Sequence, residues 1–528
     1  MIKYSILISL LIFCRQASFA QINGVFNIND FGASGGKSVL ATKSIQEAID
    51  RCASSGGGKV YFPPGEYLAG ALELKSNVSL YLEAGATLYA SQNPADFDVP
   101  GKEDRYRHPV LIYADGAENI SIEGKGKIHG QARREYLPLE SVDGFIREET
   151  EIARTSGIEM KSFNKVEPYT FLVFLVNCKN VSVHDVTLFE SCNWTLHMQW
   201  CDRVNIHGVS IFSSLSQGVN ADGIDVDGSK NVSISDCFIE TGDDAIVLKT
   251  TLSKGRSQVC ENVTVTNCIL ASTSTALKIG TESYSDFSHI LFNNCVIRNS
   301  NRGLSIVVRD GANVKDVKFS NVSLELNRKH FNWWGNADPI WLVVLKRSED
   351  SKVGTISNIT FDNISGYCQG TSRLEGFPGK PLENIRLNNI HLVMNPESLP
   401  DKRATHGFWA HDVERLTMTD CELVWNKEHP EAKWGSAFSL ENIQDLRMDK
   451  ISCNQAPGTD KPAIHLSNIR NGIVERCFAA PGTKTFLQIS GVKTKNLIVN
   501  DNYMRNAENG IGVSSEVAKN QIREFNFK

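Results

Sequence analysis

The 528-residue sequence predicts an all-β fold: a single-stranded, right-handed parallel β-helix, that is a solenoid, with an N-terminal capping helix. Three observations predict it. First, a short unit recurs, a polar turn followed by Asn or Asp and then Val/Ile/Leu-x-Val/Ile/Leu. It stands at Asn119-Ile120, Asn180-Val181, Asn231-Val232, Asn262-Val263, Asp316-Val317, Asn358-Ile359, Asn384-Ile385, Asp445-Leu446 and Asn496-Leu497, with looser copies at Val204, Ile290, Leu416 and Ile473. From Val181 to Leu497 eleven steps average about 29 residues, the period of stacked repeats. Second, the apolar residues alternate within each unit, as in SVHDVTL and SISDCFI, which is strand periodicity. Third, Cys237, Cys268, Cys295, Cys421 and Cys477 hold one place in the unit (SDCFI, TNCIL, NNCVI, TDCEL, ERCFA). A small, buried, stacked thiol explains that placement better than disulfides, and without a CxxC pair no zinc site is expected. The Leu/Asn consensus of leucine-rich repeats and the helical period of armadillo or HEAT repeats are both missing.

The elements follow in order. Residues 1–20 read as a secretory signal: Lys3 is the positive start, Tyr4 to Phe13 the apolar run, and Ser18-Phe19-Ala20 the small-x-small cleavage site. Phe13 is too large to precede a lipid-anchored Cys14. Cleavage leaves 21–528 as a single β-helix domain, exported to the periplasm or the exterior. Loss of Lys3 and Arg15 takes the net charge from −5 to −7. No later segment is long and apolar enough to span a bilayer. Thr42 to Ser54 is amphipathic, with Ile45, Ala48, Ile49 and Cys52 as its apolar stripe. Thr42 or Ser44 is expected to cap it, and Gly56-Gly57-Gly58 ends it. This helix is expected to plug the first coil. The strands KVYFPPGEYLAG and LYLEAGATLYA come next. Two insertions interrupt the repeat, a charged one near 131–168 and an aromatic one near 327–341; both are expected to be loops that wall a cleft. Several units also read Asn-x-Ser/Thr, as in Asn231-Val232-Ser233. Their strict recurrence favours an Asn bonded to the backbone at a coil corner over a glycan acceptor.

A composition of 41% hydrophobic and 22% charged residues is that of a globular protein, and a net charge of −5 gives no electrostatic case for nucleic acid. The chemistry concentrates at Asn220-Ala221-Asp222 and Gly242-Asp243-Asp244. Asp222 precedes Asp243 by 21 residues and Asp244 by 22. With a coil of about that length, the three carboxylates fall on neighbouring rungs, about 4.8 Å apart. Acids so crowded cannot all ionise easily, so at least one pKa should rise. That yields an acid and a base from one residue type, as glycoside hydrolysis requires. A lone Asp at a coil turn, such as Asp227 or Asp236, has a structural explanation; an adjacent acid pair facing a third acid one coil earlier does not.

These motifs resemble glycoside hydrolase family 28, the polygalacturonase and rhamnogalacturonase family. Asn220-Ala221-Asp222 matches its Asn-Thr-Asp motif and Gly242-Asp243-Asp244 its Gly-Asp-Asp motif. The N-terminal run FNINDFGASG…SIQEAIDRCASSGGGKVYFPPGEYLAG and Trp194-Thr195-Leu196-His197 are similar too. The likeness covers most of Asn27 to Asn327. It implies a right-handed parallel β-helix, an inverting single displacement and no cofactor or metal. It further implies Asp243 as general acid, and Asp222 with Asp244 holding and deprotonating the attacking water. Lys249, in DDAIVLKT, matches a family lysine that either binds a uronate carboxylate or tunes the acids. Asn220, His197, Thr275, Lys278, Trp333 and Trp334 are the remaining candidates for substrate binding, with Arg133, Arg134 and Tyr136 at the start of the first insertion.

Two departures bear on substrate. Where polygalacturonases carry Gly-His-Gly this sequence has Ser274-Thr275-Ala276, and where they carry Arg-Ile-Lys it has Ser305-Ile306-Val307. A buried uronate would be left unpaired there, so rhamnogalacturonan or another modified pectic chain fits better than plain polygalacturonate. Lys278 and Arg309 lie close enough in sequence to compensate. The length of the first insertion hints at exo action. Two other readings stand beside this one. A polysaccharide lyase on the same fold would usually need Ca²⁺ and an Arg or Lys base, and the sequence pairs no basic residue strongly enough with the Asp cluster to be that base. A non-catalytic glycan-binding β-helix would make the acids dispensable.

Overall fold

A computed structural model describes residues 24–97, 109–133, 135–137, 144–158, 166–329 and 335–525. The signal segment 1–20, Arg134 and the Trp333-Trp334 pair lie outside the described residues.

Each strand pairs in parallel with the strand one coil earlier and one coil later. Val181, for example, lies between Ile120 and Val204, and Val263 between Val232 and Ile290. Each coil therefore satisfies its backbone by hydrogen bonds to its two neighbours. Inward residues alternate with outward ones, as in the buried Val232 and Ile234 of Lys230–Ser235, and form one continuous apolar core. Like residues stack along it. Phe292, Phe319 and Phe361 lie ring on ring at 4.7 and 5.0 Å. The pairing of Phe238, Ile269 and Val296 puts Cys237, Cys268 and Cys295 in one column. These cysteines, like Cys421 and Cys477, are buried free thiols.

The recurrent Asn has a definite geometry. Asn119, Asn180, Asn231, Asn262, Asn358, Asn384 and Asn496 all have φ between 52° and 58°, the left-handed region that Asn tolerates better than other side-chain-bearing residues. The corner amide was expected to bond to backbone. It donates instead to the corner side chain one coil earlier: Asn262 to Asn231 at 3.0 Å, Asn384 to Asn358 at 2.8 Å and Asn496 to Asn471 at 3.1 Å. Asn384→Ala loses both the amide bond and the tolerance for positive φ, and is expected to destabilise by about 1–2 kcal/mol in urea melts. Asn384→Gly, which loses only the bond, should be less than half as harmful.

Helix α1 (Thr42–Ser54) buries Ile45, Ala48, Ile49 and Cys52 against the first coils and covers the open end of the core. Its N-cap is Ala41, without a side-chain hydrogen bond. Thr42, expected as the cap, accepts instead from the backbone N–H of Gly70 at 2.8 Å, which ties helix to coil. The first insertion is also not simply a loop: it contains helix α2 (Gly144–Thr155). The Tyr136 hydroxyl donates to the carbonyl of Gln217, so the insertion is tied to the segment that precedes Asn220.

One sheet positions the site. Its successive strands are Phe171–Val176, Leu196–Gln199, Ile224–Asp227, Ile246–Thr250, Thr275–Ser283, Arg302–Val308, Ile340–Val344 and Ser372–Glu375. Ile224 pairs with Ile246, so this coil is 22 residues, the period expected for the acids. One outward-facing row reads Phe174, His197, Asp225, Val247, Lys278, Ser305, Trp341 and Arg373. Most strands of this sheet bury both faces. Polar groups on the outward face are therefore taken from water, which is where shifted pKa values are expected.

Candidate active site

Asp222 and the Asp243-Asp244 pair sit on the two turns that lead into strands Ile224–Asp227 and Ile246–Thr250. The turns approach each other closely because both carry glycine: a Cβ on Gly242 would lie 2.4 Å from the Cα of Gly218. One carboxylate oxygen from each of Asp222, Asp243 and Asp244 lies within 4.8 Å of the others, and all three residues are buried.

Their surroundings differ. Asp243 accepts from the backbone N–H groups of Asn220 at 3.1 Å and Asp244 at 2.9 Å. Burial, and then the negative charges of Asp222 and Asp244, hold its pKa well above the ordinary 3.8. Asp244 accepts from the Lys278 ammonium at 2.6 Å, the Ser274 hydroxyl at 2.7 Å and the Thr275 N–H at 3.1 Å. Asp222 accepts from Lys249 at 3.0 Å. Burial raises its pKa and the nearby Asp244 adds to this, while Lys249 opposes both. Two lysines thus bind two of the acids, a stronger pairing of basic residues with the cluster than the sequence led one to expect. Lys249 stands 27 residues from the acid it binds and Lys278 34 from its own, and the stacking of coils brings each pair within reach. Their ammoniums also supply the countercharge that a cation between the three acids would supply.

Lys249 is buried, contacts Asp222 and Asp225 at 3.0 Å each and Glu282 at 3.8 Å, and lies 3.5 Å from the centroid of the Trp194 ring. Thr275, expected to bind substrate, is fully buried. It orients Asp244 through its N–H and receives a long contact from Arg302 at 3.4 Å. His197 is buried on the outward row. Its Nε2 lies 3.1 Å from Asp227 and its ring stacks on Phe174 at 4.4 Å. Burial lowers its pKa and the Asp227 partner opposes this. Asn220 is half-buried and donates its side-chain amide to the Tyr169 hydroxyl at 2.7 Å.

Several site residues escaped the sequence reading. Asp225 is fully buried beside Lys249, and burial pushes its pKa well up. Its signal was present in Asn220–Asp225, but only the register shows that it faces Lys249. Beyond Ser305 the outward row continues with Trp341, over which the guanidiniums of Arg302 and Arg373 lie at 4.0 and 4.7 Å. Asp338 joins both arginines at 3.1 and 2.9 Å, and they hold its pKa at about 2 against the effect of burial. Cations therefore lie near the rung that lost Arg-Ile-Lys, but on different positions. Arg309, expected as one of them, is buried, with its N–H donating to Ser283 at 2.9 Å. On the other side of the acids, a cavity of about 680 Å³ runs over Tyr169, Phe171, Phe174, Trp194 and His197 to Lys254 and Arg256.

Comparison with known proteins agrees with this geometry. The model of glycosyl hydrolases family 28 matches residues 52–404. A probable polygalacturonase of Vitis vinifera is 25% identical over 398 residues, 70% of this chain and 75% of that protein. An endo-polygalacturonase of Pectobacterium carotovorum subsp. carotovorum is 26% identical over 373 residues, 67% of this chain and 85% of its own. The solved structure of a Yersinia enterocolitica family 28 exopolygalacturonase superimposes with a TM-score of 0.59 at 21% identity, over 80% of this chain and 78% of that one. Two thirds of the sequence fall within the family match, including every one of the three clustered acids, and the chain is therefore a glycosidase belonging to glycosyl hydrolases family 28.

Proposed function

We propose that this enzyme hydrolyses α-glycosidic bonds of a galacturonate-containing pectic polysaccharide with inversion, Asp243 acting as general acid and Asp222 with Asp244 holding and deprotonating the water. The observation that carries this reading is how the three acids are partnered. Lys249 sits on Asp222 and Lys278 on Asp244. Among the described ion pairs none reaches Asp243, which burial first, and then the charges of Asp222 and Asp244, push towards the neutral form. A neutral carboxyl can donate a proton to the glycosidic oxygen; two charged ones can accept from a water.

The spacing suits such a water. Oxygens of Asp222 and Asp244 no more than 4.8 Å apart can share one water at about 2.8 Å from each. The acids are nonetheless closer than the roughly 6.5–9.5 Å common between the carboxyls of inverting enzymes, and nearer the roughly 5–5.5 Å of retaining ones. The nearest-oxygen distance understates the separation of the groups, and the lysines hold two of the acids side by side as a water cradle rather than presenting one as a nucleophile. Anomeric configuration is thus the decisive readout.

The relatives are described as polygalacturonases, which supports a galacturonate-containing chain. Loss of the family histidine and of Arg-Ile-Lys favours rhamnogalacturonan or a modified galacturonan over plain polygalacturonate. Residues 1–20 support export to the periplasm or beyond, and among the described residues no helix is long and apolar enough to cross a membrane. Family membership weighs against the lyase and non-catalytic readings. Digestion of polygalacturonate beside rhamnogalacturonan backbone, with products followed by NMR, tests the proposal. Inverted products, mainly from rhamnogalacturonan, are expected. Retained products would overturn the water-cradle mechanism, and a preference for polygalacturonate would overturn the substrate assignment.

A further inference from the structure

We infer that Glu282 and Arg347 are positioning residues for the reaction: Arg347 restrains Glu282, and Glu282 so restrained leaves the Lys249 ammonium on Asp222. The inference rests on the role given to Asp222 above and adds two residues from later coils that support it.

Lys249 has several carboxylates within its reach. Asp222 and Asp225 lie 3.0 Å from its Nζ, and Glu282 Oε2 lies at 3.8 Å. Asp244 adds negative charge from further off. The Trp194 ring lies against the ammonium, 3.5 Å from Nζ to its centroid. His197, which would repel Lys249 if protonated, is kept from the proton mainly by burial. The attraction between charges rises steeply as they approach. A small movement of Glu282 would put it as near to the ammonium as Asp222 is, and would draw the ammonium away from Asp222.

Arg347 opposes that movement. Its Nη2 lies 3.5 Å from the other oxygen of Glu282, Oε1, which also accepts from the Thr281 hydroxyl at 3.2 Å. Each carboxylate oxygen thus faces a different cation. Burial works to raise the Glu282 pKa, but Lys249, then Arg347 and Lys278, hold it at about 2, so the group is charged. Lys278 is itself taken by Asp244 at 2.6 Å. Arg347 has an anchor of its own. Its guanidinium donates to both oxygens of buried Asp310 at 2.7 and 2.9 Å, and to the Thr281 carbonyl at 3.2 Å. Such a forked contact fixes orientation as well as distance. Asp310 accepts in turn from the Ser283 N–H at 3.0 Å, which ties the anchor to the residue beside Glu282. Exposed Tyr284 also bonds to Asp310. The arrangement spans three successive strands of the sheet that carries the site, Thr275–Ser283, Arg302–Val308 and Ile340–Val344, and the turns that follow the last two.

Three proteins test it: wild type, Arg347→Met/Asp310→Asn, and the same pair with Glu282→Gln added. Arg347 and Asp310 are neutralised together so that no buried carboxylate loses its partner. Crystal structures report the contact itself. In the Arg347→Met/Asp310→Asn protein, Lys249 is expected to leave Asp222 for Glu282. With Glu282→Gln added it should return to the wild-type 3.0 Å, because the uncharged amide no longer draws it. The pH dependence of kcat, on the pectic chain that the wild type cuts, reports the consequence. Burial raises the Asp222 pKa and Lys249 is the chief influence against it. Loss of the ammonium should therefore move the acid limb of kcat up by about one pH unit, an about 10-fold loss of rate below the limb, with KM within about 2-fold. Adding Glu282→Gln should move the limb back, which repair of a general folding defect would not explain. An unmoved Lys249, or one displaced equally with and without Glu282, would overturn the inference. A displaced Lys249 with an unchanged acid limb would instead remove Asp222 from the mechanism and leave the tether standing.

Discussion

Asp243→Asn is expected to lower kcat by about 10²–10⁴ with little change in KM, the range typical of removing a general acid, and to make the protein more stable at neutral pH. The two effects have one cause. Asp243 is buried beside two other acids, and its folded pKa lies well above the ordinary 3.8. A carboxyl shifted in this direction favours the fold fully below about pH 3.8. That contribution is lost as pH rises through the folded value, because the unfolded chain releases the proton more readily. Asn keeps the shape and carries no such proton. The variant's advantage in Tm should therefore grow between pH 4 and pH 8, reaching about 2–5 °C. Calorimetric melts of both proteins across that range check it. A variant less stable than wild type at pH 8 would show that Asp243 is held as a carboxylate, and the assignment of the general acid would fall. In the wild type, loss of activity at high pH should report deprotonation of Asp243, as an apparent value of a coupled cluster.

Lys249→Met should be the most destabilising single change in the site. The ammonium contacts Asp222 and Asp225 at 3.0 Å, and all three groups are buried. Breaking a buried ion pair by removing one partner costs about 3–5 kcal/mol, because the other charge remains in the interior. Here two acids are left, and both can escape by taking up protons. The loss should approach that range at pH 8 and be distinctly smaller at pH 5, as measured by urea denaturation at each pH. Adding Asp225→Asn to Lys249→Met should recover part of the stability at pH 8 but none of the activity, since Asp222 still lacks the ammonium that keeps it charged. A Lys249→Met protein as stable as wild type at pH 8, yet unable to cut, would show that the lysine binds substrate rather than holding Asp222.

How much was legible in the sequence can be argued from these same residues. The Asn corners announced the solenoid, because a left-handed backbone at a fixed step favours Asn wherever a side chain must also bond to the next coil. The alternation in SISDCFI announced which face is buried. The cysteine column was legible for the same reason: equal positions in a repeat become neighbours in space. Asp222, Asp243 and Asp244 could be grouped from sequence because the coil between them is 22 residues, with no insertion to disturb the count.

Where coils vary in length, counting fails. Lys278 reaches Asp244 over a separation of 34 residues, and Arg302 joins Asp338 over 36. Arg373 meets Trp341 across a further coil that no repeat length predicts. The helix within the first insertion and the use of Thr42 as a tie to Gly70 were likewise beyond a pattern of periodicity, since both depend on what packs against them. The parallel β-helix, the N-terminal cap and the three clustered acids could be read from the chain alone, because each is written in local conformational preference and a regular period. Packing between coils settles which acids the lysines bind, that Lys249 shares the outward face with Asp225 and Asp227, and where the cavity changes from aromatic to cationic. Those depend on the register between coils of unequal length, which is fixed by packing of the whole stack rather than by any one stretch of chain.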